Sequence, residues 1–264
     1  MISFDGKRLE TAWWGPPPDA APTLVLLHEG LGCVTLWRDF PERLAAASGC
    51  GVFAYSRLGY GRSDPVKLPR PLSYMHDEAF FSLGRVLDAA AIRRCILVGH
   101  SDGASIAAIY AGGVQDFRVR GLVLMAPHYF VEDFFIDAIA QARDAYIEKN
   151  LRERLARYHD HVDVAFLGWN GAWLDPGFRS WDITEFLAYI RVPVLQVQGV
   201  ADPYGTAAQL RAAEQAATCP VETIMVPGGH APHLEAADRT LAAITDFTHR
   251  LFKLHEPKDA DGSH

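Results

Sequence analysis

Hydrophobic positions along the chain fall into two alternating patterns. Short unbroken apolar runs, "TLVLLH" (23–28), "GVFAYS" (51–56), "RCILVGH" (94–100), "RGLVLMA" (120–126), "VPVLQVQG" (192–199) and "VETIMVP" (221–227), are rich in Val, Ile and Leu. Such runs predict strands buried on both faces, as in a mostly parallel sheet. Between them lie stretches of helical period: "WRDFPERLAAAS", "MHDEAFFSLGRVLDAAA", "SIAAIYAGG", "TAAQLRAAEQAA" and "ADRTLAAITDFTHRLF". The pattern predicts an α/β fold, a mostly parallel central sheet with helices on both faces, preceded by an antiparallel edge hairpin.

One interval breaks the alternation. Residues 128–191 carry no strand pattern, which is far longer than an ordinary connection. In its first half, "IDAIAQARDAYIEKNLRERLARY" repeats apolar residues at Ile136, Ile139, Tyr146, Ile147, Leu151, Leu155 and Tyr158, as one amphipathic helical stretch would. Its second half holds Trp169, Trp173 and Trp181. The expectation is a helical lid inserted after the sixth strand, splitting a core of 1–127 and 192–254, with a polar tail at 255–264. Insertions at this edge of an open α/β sheet lie where ligands bind.

Composition narrows the choice of partner. A formal charge of −7 over 264 residues, with no Lys/Arg cluster, argues against a nucleic-acid binder and favours a small-molecule substrate. No window reaches the roughly 18 apolar residues of a membrane span, and "MISFDGKRLETAWW" lacks a basic segment followed by an apolar one. A cytoplasmic protein without a membrane partner is expected. Cys33, Cys50, Cys95 and Cys219 are scattered without a CxxC pair, so reduced thiols are expected rather than disulfides or a zinc site. "HDHVD" (159–163) has too little support nearby for a metal site and reads as a solvated loop; no metal and no cofactor are expected.

The strand "RCILVGH" runs into "GHSDGAS" (99–105) and then a helix. This is G-x-S-x-G in strand, turn and helix context, the nucleophile elbow, with Ser101 on the turn. Gly99 and Gly103 flank it because a β-carbon at either place would strike neighbouring backbone. A serine hydroxyl needs a base and the base an orienting acid. Asp202, in "VADPYG", and His230, in "GGHAPHLE", follow later strands in the order Ser, Asp, His. Two residues compete for these roles: His233, expected at an entrance or helix cap, and Asp133, on the loop after the preceding strand.

With "LVLLHEGLG", "YSRLGYGRSD", "LVGHSDGAS", "GVADPYG" and "GGHAPHLE" in order, the chain from about Thr23 to Phe252 resembles the α/β-hydrolase family. The resemblance implies Ser101 as nucleophile, His230 as base and then acid, and Asp202 as the orienting acid. It also implies an oxyanion hole of backbone N–H groups from Gly30 (alternatively Leu31) and Asp102. The family more often has His-Gly where this chain has His28 and Glu29. Glu29 is therefore expected to face away from the hole, either pairing with Arg57 and bracing the loop or simply solvated. Trp169, Trp173, His28 and His100 are pocket candidates, with packing at the elbow the favoured reading of His100 and an anchor of the adjacent loop that of His28. The implied activity is hydrolysis of a carboxylic ester, lactone or thioester of a hydrophobic or aromatic substrate. C–C bond hydrolysis, acyl transfer and a non-catalytic ligand receptor are the alternatives, and an aspartate-type nucleophile, as in epoxide hydrolases of this family, is disfavoured by Ser101.

Overall fold

The structure is a computed structural model that describes residues 1–253; the tail expected at 255–264 lies outside them. Nine strands are present among these residues: β1 (Ile2–Phe4), β2 (Lys7–Leu9), β3 (Thr11–Trp14), β4 (Thr23–Leu27), β5 (Gly51–Tyr55), β6 (Cys95–His100), β7 (Val119–Met125), β8 (Val194–Gly199) and β9 (Val221–Val226). The main sheet has the order β3-β5-β4-β6-β7-β8-β9, and only β3 runs antiparallel. The opening residues thus do more than form an edge hairpin. β1 and β2 pair with each other, and β3 joins the main sheet. The insertion accordingly follows the seventh strand in chain order rather than the sixth.

Every residue of β4, β5 and β6 is buried, as their unbroken apolar runs require. Alternate side chains serve opposite cores. Val25, Leu27, Phe53, Leu97 and Leu122 pack with the helices over 84–89 and 102–113. Leu24, Leu26, Val52, Ile96 and Val123 pack with those over 40–48 and 237–252, through Leu44, Ile244 and Phe247. The four cysteines are free. No helix among the described residues is long and apolar enough to cross a membrane.

Residues 128–191 are helical, but not as one amphipathic stretch. Helix Asp133–Glu148 ends at Lys149, whose backbone is extended, and a short helix restarts at Leu151. Ile147 is 71% exposed, so the apolar repeat does not continue through it. Tyr146 instead stacks on Phe166, ring centroids 3.8 Å apart, in a small separate core with Val162, against which Leu31 and Trp169 also pack.

Candidate active site

The turn after β6 places Ser101 at φ 52° and ψ −119°, the left-handed half of conformational space that a non-glycine residue enters only under strain. The neighbouring helix permits it by close approach. A β-carbon on Gly103 would lie 2.0 Å from the Leu27 carbonyl oxygen, and one on Gly99 would lie 2.4 Å from the Gly103 oxygen. Backbone contact of this kind admits glycine alone. The same holds where the loops after β8 and β9 meet, since a β-carbon on Gly199 would come 2.0 Å from the Gly229 oxygen.

Those two loops bring Asp202 and His230 to Ser101. His230 Nε2 lies 2.9 Å from Ser101 Oγ, and His230 Nδ1 lies 2.9 and 3.0 Å from the two Asp202 oxygens. A carboxylate only accepts, so Nδ1 carries the proton and Nε2 is left with a lone pair towards the serine. Asp202 also accepts from Gln198 Nε2 at 2.7 Å and from the Tyr204 N–H at 2.8 Å. Burial pushes its carboxyl up, but the hydrogen bond and charge of His230, with the Tyr204 and Gln198 donors, hold it below the usual range. The rivals sit elsewhere. Asp133 is an exposed partner of Arg179. His233 is not at an entrance but buried in the core, 4.7 Å from Trp37 between ring centroids.

Facing the serine, Asp102 is the first residue of its helix, so its N–H has no intrahelical acceptor. Gly30 and Leu31 occupy the turn after β4, and among the described residues no group accepts from their N–H. The Glu29 carboxylate bends back over Gly32 and approaches His100 Nδ1 at 3.4 Å. The expected pairing with Arg57 is therefore corrected. Arg57 does brace this loop, but through its carbonyls: one guanidinium nitrogen donates to the His28 oxygen and the other, at 3.0 Å, to the Glu29 oxygen. Both terminal nitrogens of the Arg57 guanidinium are turned to these two carbonyls, while the Glu29 carboxylate lies on the His100 side. Burial alone would raise the Glu29 carboxyl, but His100 beside it, with His28 and His233 further off, holds it well below the usual range.

A cavity of about 180 Å³ opens over Ser101. Trp169 and Trp173 line it, together with Ile139 of the predicted helical repeat and with Phe135, Tyr204 and His128, which no sequence pattern marked. His28 and His100 do not. His28 is fully buried, accepting from the Arg57 N–H at Nε2 (3.0 Å) and donating from Nδ1 to the Glu29 oxygen (2.7 Å), a set that fixes a neutral tautomer. His100 donates from Nε2 to the His230 carbonyl at 2.7 Å and so anchors the backbone of the histidine beside Ser101. His159, expected in a solvated loop, is also buried. It accepts the Gly61 N–H at Nδ1 (2.9 Å) and donates from Nε2 to the Leu31 oxygen (3.0 Å), tying the insertion to the turn beside Ser101. No cluster of metal-ligating side chains occurs among the described residues.

Similarity to known proteins agrees with this architecture. The chain is 30% identical over 125 residues to epoxide hydrolase B of Mycobacterium tuberculosis, a match covering 47% of the chain but only 33% of that relative. It is 27% identical over 241 residues to a non-heme chloroperoxidase of Streptomyces lividans, covering 79% of the chain and 84% of that protein. Its fold superposes on the enol-lactonase of Burkholderia xenovorans LB400 with a TM-score of 0.71 at 22% identity, covering 92% of this chain and 97% of that one. The sequence profile described as the alpha/beta hydrolase family matches residues 24–243, and the chain belongs to that family.

Proposed function

We propose that the protein is a serine hydrolase that cleaves a compact, largely apolar or aromatic carboxylic ester, lactone or thioester through an acyl-enzyme on Ser101. The observation that carries this reading is the unbroken chain of contacts from Ser101 Oγ through His230 to Asp202 at the mouth of a cavity. Ser101 Oγ attacks the scissile carbonyl while His230 Nε2 takes its proton. Asp202 holds the ring and stabilises the imidazolium. The oxyanion is met by the N–H groups of Asp102 and of Gly30 or Leu31, which no acceptor among the described residues occupies. His230 then returns the proton to the leaving oxygen, the acyl group stays on Ser101, and water activated by the same histidine releases the acid.

The helical insertion acts as the lid expected from its position, supplying Phe135, Ile139, Trp169 and Trp173 to the cavity. An apolar cavity of about 150 Å³ accommodates benzene, so about 180 Å³ suits one ring or a short acyl chain. The similarity to an epoxide hydrolase is not carried over to the reaction, because that chemistry in this family uses an aspartate where this chain has Ser101.

The test is a series of p-nitrophenyl esters of increasing acyl length, with stoichiometric labelling by a fluorophosphonate. Ser101→Ala should lower kcat by on the order of 10³-fold or more, abolish labelling, and leave the folded structure intact. Acetyl and butyryl esters should be cleaved faster than octanoyl. Equal turnover by wild type and Ser101→Ala would remove the acyl-enzyme, and an unlabelled wild type would favour a ligand receptor.

A further inference from the structure

Among the polar side chains lining the cavity that the proposed reaction does not use is a buried histidine. His128 follows β7 and is 4% exposed. Its carbonyl is held by Ser105 Oγ at 2.6 Å, which fixes where the ring stands. The ring lies among Phe135, Trp173 and His230, at centroid distances of 5.1, 5.7 and 5.7 Å. Nδ1 is shut off from solvent without a partner. Nε2 makes no hydrogen bond among the described residues either, but unlike Nδ1 it is not shut off from solvent, and His128 lines the cavity. Burial, and the neighbouring His230, push the His128 ring down to about 3, so it is neutral at ordinary pH, with one N–H and one lone pair.

A phenyl or isobutyl group would fill this place without leaving a buried nitrogen unpaired, and such a nitrogen lowers stability. Packing therefore does not account for a histidine here, whereas a ligand atom would. The choice of tautomer follows. A buried unpaired acceptor is less costly than a buried unpaired N–H, so the lone pair belongs on Nδ1 and the N–H on Nε2, towards the cavity. His128 packs against His230, the residue that must hand its proton to the leaving oxygen, so it stands on the leaving-group side. Glu29 lines the same cavity, and no Lys or Arg does, which disfavours an anionic ligand.

Resting on the serine-hydrolase reading, we propose that His128 is a specificity-determining residue: its Nε2–H donates to a second oxygen in the alcohol portion of the substrate. The preferred substrate class is then a neutral, compact ester whose alcohol part carries an ether, hydroxyl or carbonyl oxygen. No covalent step is added; the contact orients the leaving group beside His230.

The experiment compares kcat/KM of the full chain for 2-methoxyethyl acetate and butyl acetate, which differ by one oxygen in place of a methylene, in wild type, His128→Phe and His128→Gln. Wild type should prefer the methoxyethyl ester by about tenfold, the worth of one hydrogen bond. The preference should collapse towards unity in His128→Phe and return in part in His128→Gln, which keeps an N–H. Tm of His128→Phe should equal or exceed that of wild type. A second pair, methyl methoxyacetate and methyl butyrate, moves the oxygen to the acyl side, and its ratio should not depend on residue 128. An alcohol-side ratio indifferent to residue 128 overturns the proposal, as does an effect confined to the acyl-side pair. If wild type cleaves neither acetate, the substrate class is overturned; labelling of Ser101 by a fluorophosphonate in the same sample then shows whether the serine-hydrolase reading stands, and absence of label shows that it falls too.

Discussion

At the scale of single residues, the turn after β4 is held by contacts that leave no room for growth. A β-carbon on Gly30 would come 2.2 Å from Trp169 Nε1 and 2.3 Å from Cδ1. Separations under 3 Å force movement, and here either the indole or the N–H offered to the oxyanion must give way. Gly30→Ala is expected to lower kcat by about tenfold or more, within the range seen when an oxyanion donor is lost, with the folded state retained. Gly171, in the helix Val162–Leu174, is the control. Nothing lies within 4 Å of its β-carbon position, so Gly171→Ala should leave kcat unchanged and add about 0.5–1 kcal/mol of stability from helix propensity. Steady-state kinetics and Tm on both variants check the pair. Glu29 belongs to this scale too. Its departure from His-Gly was visible in the sequence, yet its partner was not, because the choice between Arg57 and His100 depends on which way a buried guanidinium points.

Between elements, the insertion and the turn beside Ser101 behave as one piece. His159 bridges the Leu31 carbonyl and the Gly61 N–H, while Leu31 packs against the small core of Tyr146, Val162 and Phe166. His159→Leu leaves a donor and an acceptor without partners, which should cost about 1–3 kcal/mol. Amide exchange at residues 29–32 should speed up, and kcat/KM should fall with it. Unchanged exchange in that turn would show that the bridge does not hold it. The strands and the elbow were legible in the sequence because a buried parallel strand writes itself as an apolar run and the elbow as spaced glycines. The order Ser101, Asp202, His230 was legible for the same local reason. The insertion was not. Helical period marks Ile139 and Ile147 alike, but only Ile139 faces the cavity, and Tyr146 turns to a partner, Phe166, that lies beyond the helix end at Lys149 and that no local period reveals. His128 and Phe135 open the insertion and Tyr204 lies far beyond it, after β8, so no spacing in the chain announced that they would share one cavity.

For the molecule as a whole, the response to pH is set by its buried histidines. His28, His128, His159 and His233 are buried and all held below the ordinary imidazole range, chiefly by burial, with His128 and His233 pushed down to about 3. The unfolded chain takes up protons at these positions below about pH 6.5 and the folded chain does not. Stability is therefore complete above that value and is lost as pH falls, by up to about 1.4 kcal/mol per pH unit for each such group. Asp202 and Glu29, held below the usual carboxylate range, act in the same direction at lower pH, their contribution present above the unfolded value and lost as pH falls through the folded one. Thermal unfolding should show a clearly lower Tm at pH 5 than at pH 7, and His128→Phe should flatten that dependence. A Tm indifferent to pH over this interval would contradict it. The close backbone contacts at Gly99, Gly103 and Gly199 have a further consequence for descent. Where main chain touches main chain, nearly every substitution is lethal to the geometry, so these positions can drift very little. Phe135, Ile139, Trp169 and Trp173 present side chains rather than main chain to the cavity, and there mutation can retune the diet of the enzyme while its chemistry is inherited unchanged.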